Sequence, residues 1–266
     1  MSETEVLKRE VRGNVGTVVF NRPERKNALS PDMLVKLHLT LKEWAEGDAV
    51  RAVVVTGGEG KVFSSGYDIL SIPTSVTEEE KELLKQANPL ELALRSVKNY
   101  PYPTIAMVNG YVFGGALNLC MCCDLRIAAD DIKAGMPPAK LGLVYHPEGL
   151  KQFIEVLGMA RTREVFFTGR TYEGREILEM GLVDRLVPRS ELAAATYRIA
   201  EEIAGNAPLS LKGSKRILNM LAAAPQLNAE DLQEAERIIT EAFNSADLKE
   251  GQTAFLEKRK PRFIGR

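Results

Sequence analysis

The chain reads as an α/β protein. Strands alternate with helices over residues 1–190, and a region that is all helix fills 191–266. Two observations lead there. Short β-branched runs bounded by glycine, Arg51–Thr56 (RAVVVT) and Thr104–Val108 (TIAMV), are each followed downstream by helical segments. From Ser190 onward the strand pattern stops, and helices are expected at about Glu191–Gly205, Pro208–Ala222, Asn228–Asn244 and Ala246–Glu257. Only Asn206-Ala207-Pro208 and Ala223–Pro225 interrupt them.

Taken in order, Val6–Val11 and Val15–Phe20 are strands joined at Gly13-Asn14 as a hairpin. Ser30 and Pro31 then fit the cap and first position of a helix to about Glu46, with Met33, Leu34, Leu37, Leu41 and Trp44 on one face. His38 lies in this helix as a packing residue. Arg51–Thr56 is a buried strand, and Val62–Ile69 runs from a strand end through Gly66 into a polar turn. Pro73–Asn88, rich in Glu and Lys, reads as a surface helix or lid, and Leu90–Asn99 as a second helix. Strands follow at Leu125–Ala129 and Lys133–Gly135. Met136–Gly149 is dense in proline and glycine and reads as a loop wall. Leu150–Leu157, Thr162–Phe167 and Thr171–Met180 read as helices, and Leu182–Val187 as a strand.

The organising stretch is Thr104–Asp124, TIAMVNGYVFGGALNLCMCCD. A buried strand meets Asn109-Gly110 and Gly114-Gly115, then a helix in which only Asn118 is polar between Ala116 and Cys123. Such a turn leaves backbone N–H groups without partners at a helix N-terminus, where negative charge is favoured. The turn at Ser64–Ile69 is a second place where N–H groups could converge on an anion. On this stretch alone, tight packing explains the glycines as well as a ligand does.

Composition narrows the partners. At 266 residues the chain can bury a large core, and 27% charged against 45% hydrophobic residues is ordinary for a soluble protein. A net charge of −1 gives no electrostatic reason to expect nucleic acid or an anionic membrane. No run approaches a membrane span, and Met1–Glu10 lacks the apolar core of a signal. Three cysteines, crowded at Cys120, Cys122 and Cys123, form no disulfide framework and fit a reducing cytoplasm. No histidine lies near them in the sequence to complete a zinc site. The chain has no GxSxG elbow and no dinucleotide fingerprint.

Several spaced motifs then occur in one order: Asn21-Arg22-Pro23 with Asn27-Ala28-Leu29, Phe63–Ile69, Asn109–Ala116, Cys123–Arg126, Lys140-Leu141-Gly142, and Phe167–Arg170 followed by Gly181-Leu182-Val183. Along essentially its whole length the chain resembles the crotonase superfamily, the enoyl-CoA hydratase/isomerase family. The resemblance implies a spiral of ββα units followed by a helical region that trimerises and lids the pocket, as a homotrimer or a dimer of trimers. It implies an acyl-CoA thioester as substrate, with coenzyme A entering as part of it and no separate cofactor or metal. The N–H groups of Tyr67 and Gly115 would form the oxyanion hole, with Asn118 and Tyr145 beside the acyl group. Arg25, Lys26, Ala28, Ser64, Ser65, Gly66, Asp68 and Ile69 would hold coenzyme A, joined by Phe255 and Lys258 on the last helix.

Hydratases of this family use two glutamates, and the matching positions here are Asn118 and Pro138, neither able to act as a general base. Met136–Tyr145 and Glu250–Pro261 resemble instead the family's acyl-CoA decarboxylases, although the positions of Tyr67 and Asn118 are histidine and glutamate there. The expected reaction is decarboxylation of a short 2-carboxyacyl-CoA. The alternatives are a divergent hydratase or isomerase using His146 or Glu148, and a catalytically silent acyl-CoA-binding homologue.

Overall fold

Two sheets share the strands, and the chain passes from one to the other on each turn of a spiral. In the computed structural model, which describes residues 5–68, 88–222, 229, 233, 236, 237, 240, 243–259 and 261, the larger sheet has six strands. In spatial order these are β1 (Leu7–Arg12), β2 (Val15–Phe20), β3 (Ala52–Thr56), β5 (Thr104–Val108), β7 (Leu125–Ala129) and β10 (Arg185–Val187). Only the β1–β2 hairpin is antiparallel. The smaller sheet orders β4 (Val62–Ser64), β6 (Tyr111–Phe113), β8 (Lys133–Gly135) and β9 (Thr171–Glu173), with β8 and β9 antiparallel. Residues buried on both faces explain why β3 and β5 are unbroken apolar runs.

The corner between the sheets needs close backbone approach. A Cβ on Gly110 would lie 2.0 Å from the Lys61 carbonyl carbon. Asn109 closes the same corner: its Oδ1 accepts from Gly57 N at 3.0 Å, and its Nδ2 donates to the Gly60 and Val62 carbonyls. Asn27 does the equivalent work one turn earlier, donating to the Gly57 and Phe63 carbonyls.

Helices cover the sheets. Helix α1 (Pro31–Gly47) begins as expected, with Ser30 accepting from Met33 N, and it buries Met33, Leu34, Leu37, Leu41 and Trp44. Helix α2 (Pro89–Lys98) packs on α1, where His38 Nδ1 meets Ser96 Oγ at 2.6 Å, a packing role as expected. Helix α3 (Gly115–Cys122) is buried along its whole length. Next come α4 (Pro138–Leu141), α5 (Pro147–Thr168), α6 (Arg175–Glu179), α7 (Leu192–Ala204), α8 (Pro208–Ala222) and α9 (Ala246–Leu256). Helix α7 packs on β3, β5 and β7, and Leu192, Ala200 and Ala204 join the core. Helix α8 is tied down by Lys215, 6% exposed, which donates to the Tyr102 carbonyl and to Asp124 Oδ2 at 2.6 Å.

Several expectations are corrected. The segment at 136–149 is not all loop: it holds α4, and α5 starts at Pro147 with proline at its first position. Helix α5 bridges the expected gap between two helices, breaking at Gly158 (φ 74°). Thr171–Glu173 is a strand rather than helix, and only Arg175–Glu179 is helical. The last strand spans Arg185–Val187 rather than starting at Leu182. The lid expected at Pro73–Asn88, up to residue 87, lies outside the described residues, as does most of the helix expected at Asn228–Asn244. No helix among the described residues is long and apolar enough to cross a membrane.

Candidate active site

The two glycine turns singled out in the sequence lie against each other. Gly66 has φ 100°, and a Cβ there would sit 2.7 Å from the Phe113 carbonyl oxygen. Gly114, at φ 54° and ψ −127°, caps α3 in a region that only glycine enters readily. The point where a Cβ on Gly115 would lie is 3.6 Å from Tyr67 N and 3.3 Å from a Leu90 methyl carbon. Backbone geometry fixes where the Tyr67 N–H points. Leu29 and Tyr67 form a parallel bridge in which Leu29 N donates to the Gly66 carbonyl and Asp68 N to the Leu29 carbonyl. The peptide groups of Tyr67 itself therefore face away from Leu29. Neither the Tyr67 nor the Gly115 N–H finds a backbone acceptor among the described residues. Two donors on adjoining turns, one at a helix N-terminus, are thus without a backbone partner among the described residues, and such a pair can accept an oxyanion.

Behind this pair lies a buried polar chain. Asn118, fully buried one helical turn past Gly115, accepts from the Tyr145 hydroxyl through Oδ1 at 2.8 Å. Its Nδ2 donates to Gln152 Oε1 at 2.6 Å, and Gln152 is 2% exposed. Helix α5 makes room for the arrangement at Gly149, where a Cβ would lie 2.3 Å from Tyr145 Cε1 and 3.0 Å from Asn118 Oδ1. Phe166 supports the Tyr145 ring at 5.5 Å between centroids. Burial raises the Tyr145 phenol well above its ordinary pKa, with smaller contributions from Cys122 and Glu91. Burial and then Asp68 raise Tyr67. Both phenols therefore hold their protons at neutral pH. The sequence reading missed Gln152, because a lone polar residue on an amphipathic helix carries no spacing signal.

The expected coenzyme A residues are partly assembled. Ser65 N donates to the Lys26 carbonyl, so the Arg25–Ala28 turn and the Ser64–Asp68 turn share one edge. Arg25 and Lys26 are exposed there, Ala28 is buried, and Ser64 Oγ accepts from Gly66 N. Asp68 lies 3.6 Å from Arg22, whose guanidinium also donates to the Ala28 carbonyl. Ile69 lies outside the described residues. Lys258 is not on the last helix as expected: α9 ends at Leu256, and Lys258 follows its cap at φ 56°. Phe255 is on that helix and 58% exposed. Helix α9 packs on the α4 segment, with Gly251 so close that a Cβ would meet the Leu141 carbonyl at 2.4 Å.

The alternative acid–base groups each have a charged partner. Glu148 pairs with Arg95 at 2.7 Å, and His146 Nδ1 lies 3.4 Å from Glu91, both on half-exposed side chains linking α5 to α2. The three cysteines are buried thiols, and burial pushes Cys123 up to about 12.

Comparison with known proteins agrees with this geometry. The family profile for enoyl-CoA hydratase/isomerase matches residues 10–266. A putative enoyl-CoA hydratase of Thermus thermophilus is 35% identical, over 95% of this chain and 98% of that protein. The methylmalonyl-CoA decarboxylase of Escherichia coli is 31% identical, over 94% and 95% of the two chains. Among solved structures, methylmalonyl-CoA decarboxylase in complex with 2-nitronate-propionyl-CoA superposes with a TM-score of 0.91 at 29% identity, covering 99% of this chain and all of that one. With two sheets fed alternately by one spiral and a profile match to its last residue, the chain belongs to the enoyl-CoA hydratase/isomerase family.

Proposed function

We propose that this acyl-CoA enzyme decarboxylates a short 2-carboxyacyl-CoA through a thioester enolate. The observation that carries the reading is Asn118: both ends of its buried amide are held by neutral groups, Tyr145 and Gln152, and no carboxylate takes part in these two hydrogen bonds. Hydration needs a base to activate water. Decarboxylation needs none: the bond from Cα to the carboxylate breaks, carbon dioxide leaves, and the electron pair passes to the thioester oxygen. The Tyr67 and Gly115 N–H groups stabilise that oxygen, each such donor being worth about 3 kcal/mol. Water then returns one proton to Cα, beside the Tyr145 hydroxyl and Asn118, and leaves hydroxide.

In the same reading, Arg25, Lys26, Ala28, Ser64, Ser65, Gly66, Asp68 and Ile69 hold the coenzyme A portion, with Phe255 and Lys258 at its far end. The subunits assemble as a trimer or dimer of trimers, which would cover Leu209, Leu218 and Leu221, each more than 60% exposed on α8. The hydratase names of several relatives favour a second reading, hydration or isomerisation, in which Glu148, paired with Arg95, or His146, paired with Glu91, would have to leave its partner to act as the base. A mass-spectrometric screen of 2-carboxyacyl-, enoyl- and saturated acyl-CoA separates these readings. Loss of carbon dioxide from methylmalonyl-CoA with no water added to crotonyl-CoA supports decarboxylation, and the reverse overturns it.

A further inference from the structure

The polar chain behind the oxyanion cradle has a direction, and Gln152 stands at its end. As observed it runs from the Tyr145 hydroxyl to Asn118 Oδ1, then from Asn118 Nδ2 to Gln152 Oε1. Gln152 is 2% exposed, yet its Nε2 donates to no acceptor among the described residues. In this direction the phenol hydrogen is committed to Asn118, and only oxygen lone pairs face an acyl group. Turning both amides over leaves every heavy-atom position occupied by an atom of nearly the same size. Gln152 Nε2 then donates to Asn118 Oδ1, Asn118 Nδ2 donates to the Tyr145 oxygen, and the phenol hydrogen is released. The number of hydrogen bonds is unchanged. Nε2 gains a partner in Asn118 Oδ1, and Oε1 becomes the amide atom without one.

We infer that Gln152 is a positioning residue whose reversible amide sets whether Tyr145 accepts from or donates to the acyl group, an inference that rests on the role given to Tyr145 above. No proton travels through the amides; only the orientation of the chain changes. The terminus must be able both to accept and to donate. Glutamine can. A carboxylate only accepts, so it locks the phenol hydrogen on Asn118, and a thioether offers no useful donor.

The test is the pH profile of kcat for Gln152→Glu and Gln152→Met on the 2-carboxyacyl-CoA that the parent enzyme turns over. With Gln152→Glu, kcat should fall about a hundredfold at pH 8, the size of a lost transition-state hydrogen bond. It should recover as the pH falls and the introduced carboxyl takes up a proton, and this recovery should be absent in a Tyr145→Phe background, where repulsion of the substrate carboxylate alone would keep it. The parent profile should lack this hundredfold recovery over the same range. Gln152→Met should lose kcat at every pH, and adding Tyr145→Phe should cost nothing further. A loss for Gln152→Glu that ignores pH, or parental kcat in either variant, overturns the inference. Where Gln152→Glu is not recovered folded, Gln152→Met decides alone by its kcat and by its non-additivity with Tyr145→Phe. If the parent decarboxylates nothing, the proposed reaction fails separately. The chain is then read by calorimetry: Gln152→Met should weaken methylmalonyl-CoA binding and spare propionyl-CoA, and unchanged affinity for both overturns it.

Discussion

Asn118→Asp separates decarboxylation from hydration by the sign of its effect. The side chain is fully buried, with Tyr145 donating to Oδ1 at 2.8 Å and Gln152 Oε1 lying 2.6 Å from Nδ2. A carboxylate there meets Gln152 acceptor to acceptor, and Gln152 relieves the clash by turning its amide so that Nε2 donates. The two hydrogen bonds to residue 118 are thus restored with the phenol hydrogen held on the new carboxylate, and charge adds a further cost. Against a substrate carboxylate about 5 Å away, at an effective dielectric near 20, the repulsion is roughly 3 kcal/mol. That corresponds to about two orders of magnitude in kcat/KM for a 2-carboxyacyl-CoA. Crotonyl-CoA carries no such charge, and for it the new carboxylate supplies a base. The assay follows both substrates with one preparation, by carbon dioxide release and by loss of enoyl absorbance. If Asn118→Asp hydrates crotonyl-CoA faster while the parent decarboxylates nothing, the reasoning fails.

Gly149→Ala places a methyl 2.3 Å from Tyr145 Cε1, so it should displace the ring, lower kcat at least tenfold and destabilise the fold by about 1–3 kcal/mol in urea titration. A parental kcat would mean that the Tyr145 position does not matter. The three thiols should resist a disulfide reagent at pH 8 in the native protein and react together in urea, since burial raises all of them; fast native labelling would contradict their placement. Hydrogen bonding from Arg189, then charge from Arg189 and Lys61, lowers the Asp131 carboxyl. A depressed carboxyl stabilises the fold above its unfolded pKa and loses that contribution as pH falls through the folded one. The Tm gap between the parent and Asp131→Asn should therefore narrow as the pH falls from about 5 to about 3, and a gap constant over that range would count against the pairing.

The main strands and α1 were legible because burial on both faces and a Ser-Pro start leave direct marks in sequence. Two of the three-residue strands were not, although Lys133–Gly135 was. Tyr111–Phe113 and Thr171–Glu173 are too short to show a period, and pairing with β8 makes them strands. The Pro147-Glu148-Gly149 run looked like loop because proline and glycine punctuate loops, yet here proline opens a helix and glycine clears space for Tyr145. At the site, the two glycine turns and Asn118 stood out by residue type. Their meeting with Tyr145 and Gln152 arises only when α5 folds across α3, which no local pattern encodes.

The most direct measurement is decarboxylation of methylmalonyl-CoA in deuterium oxide, with the product read by mass spectrometry. The account predicts propionyl-CoA carrying one deuterium at Cα, as an enolate held by the Tyr67 and Gly115 N–H groups takes its hydrogen from solvent. Recovered, unlabelled methylmalonyl-CoA beside readily hydrated crotonyl-CoA would contradict it.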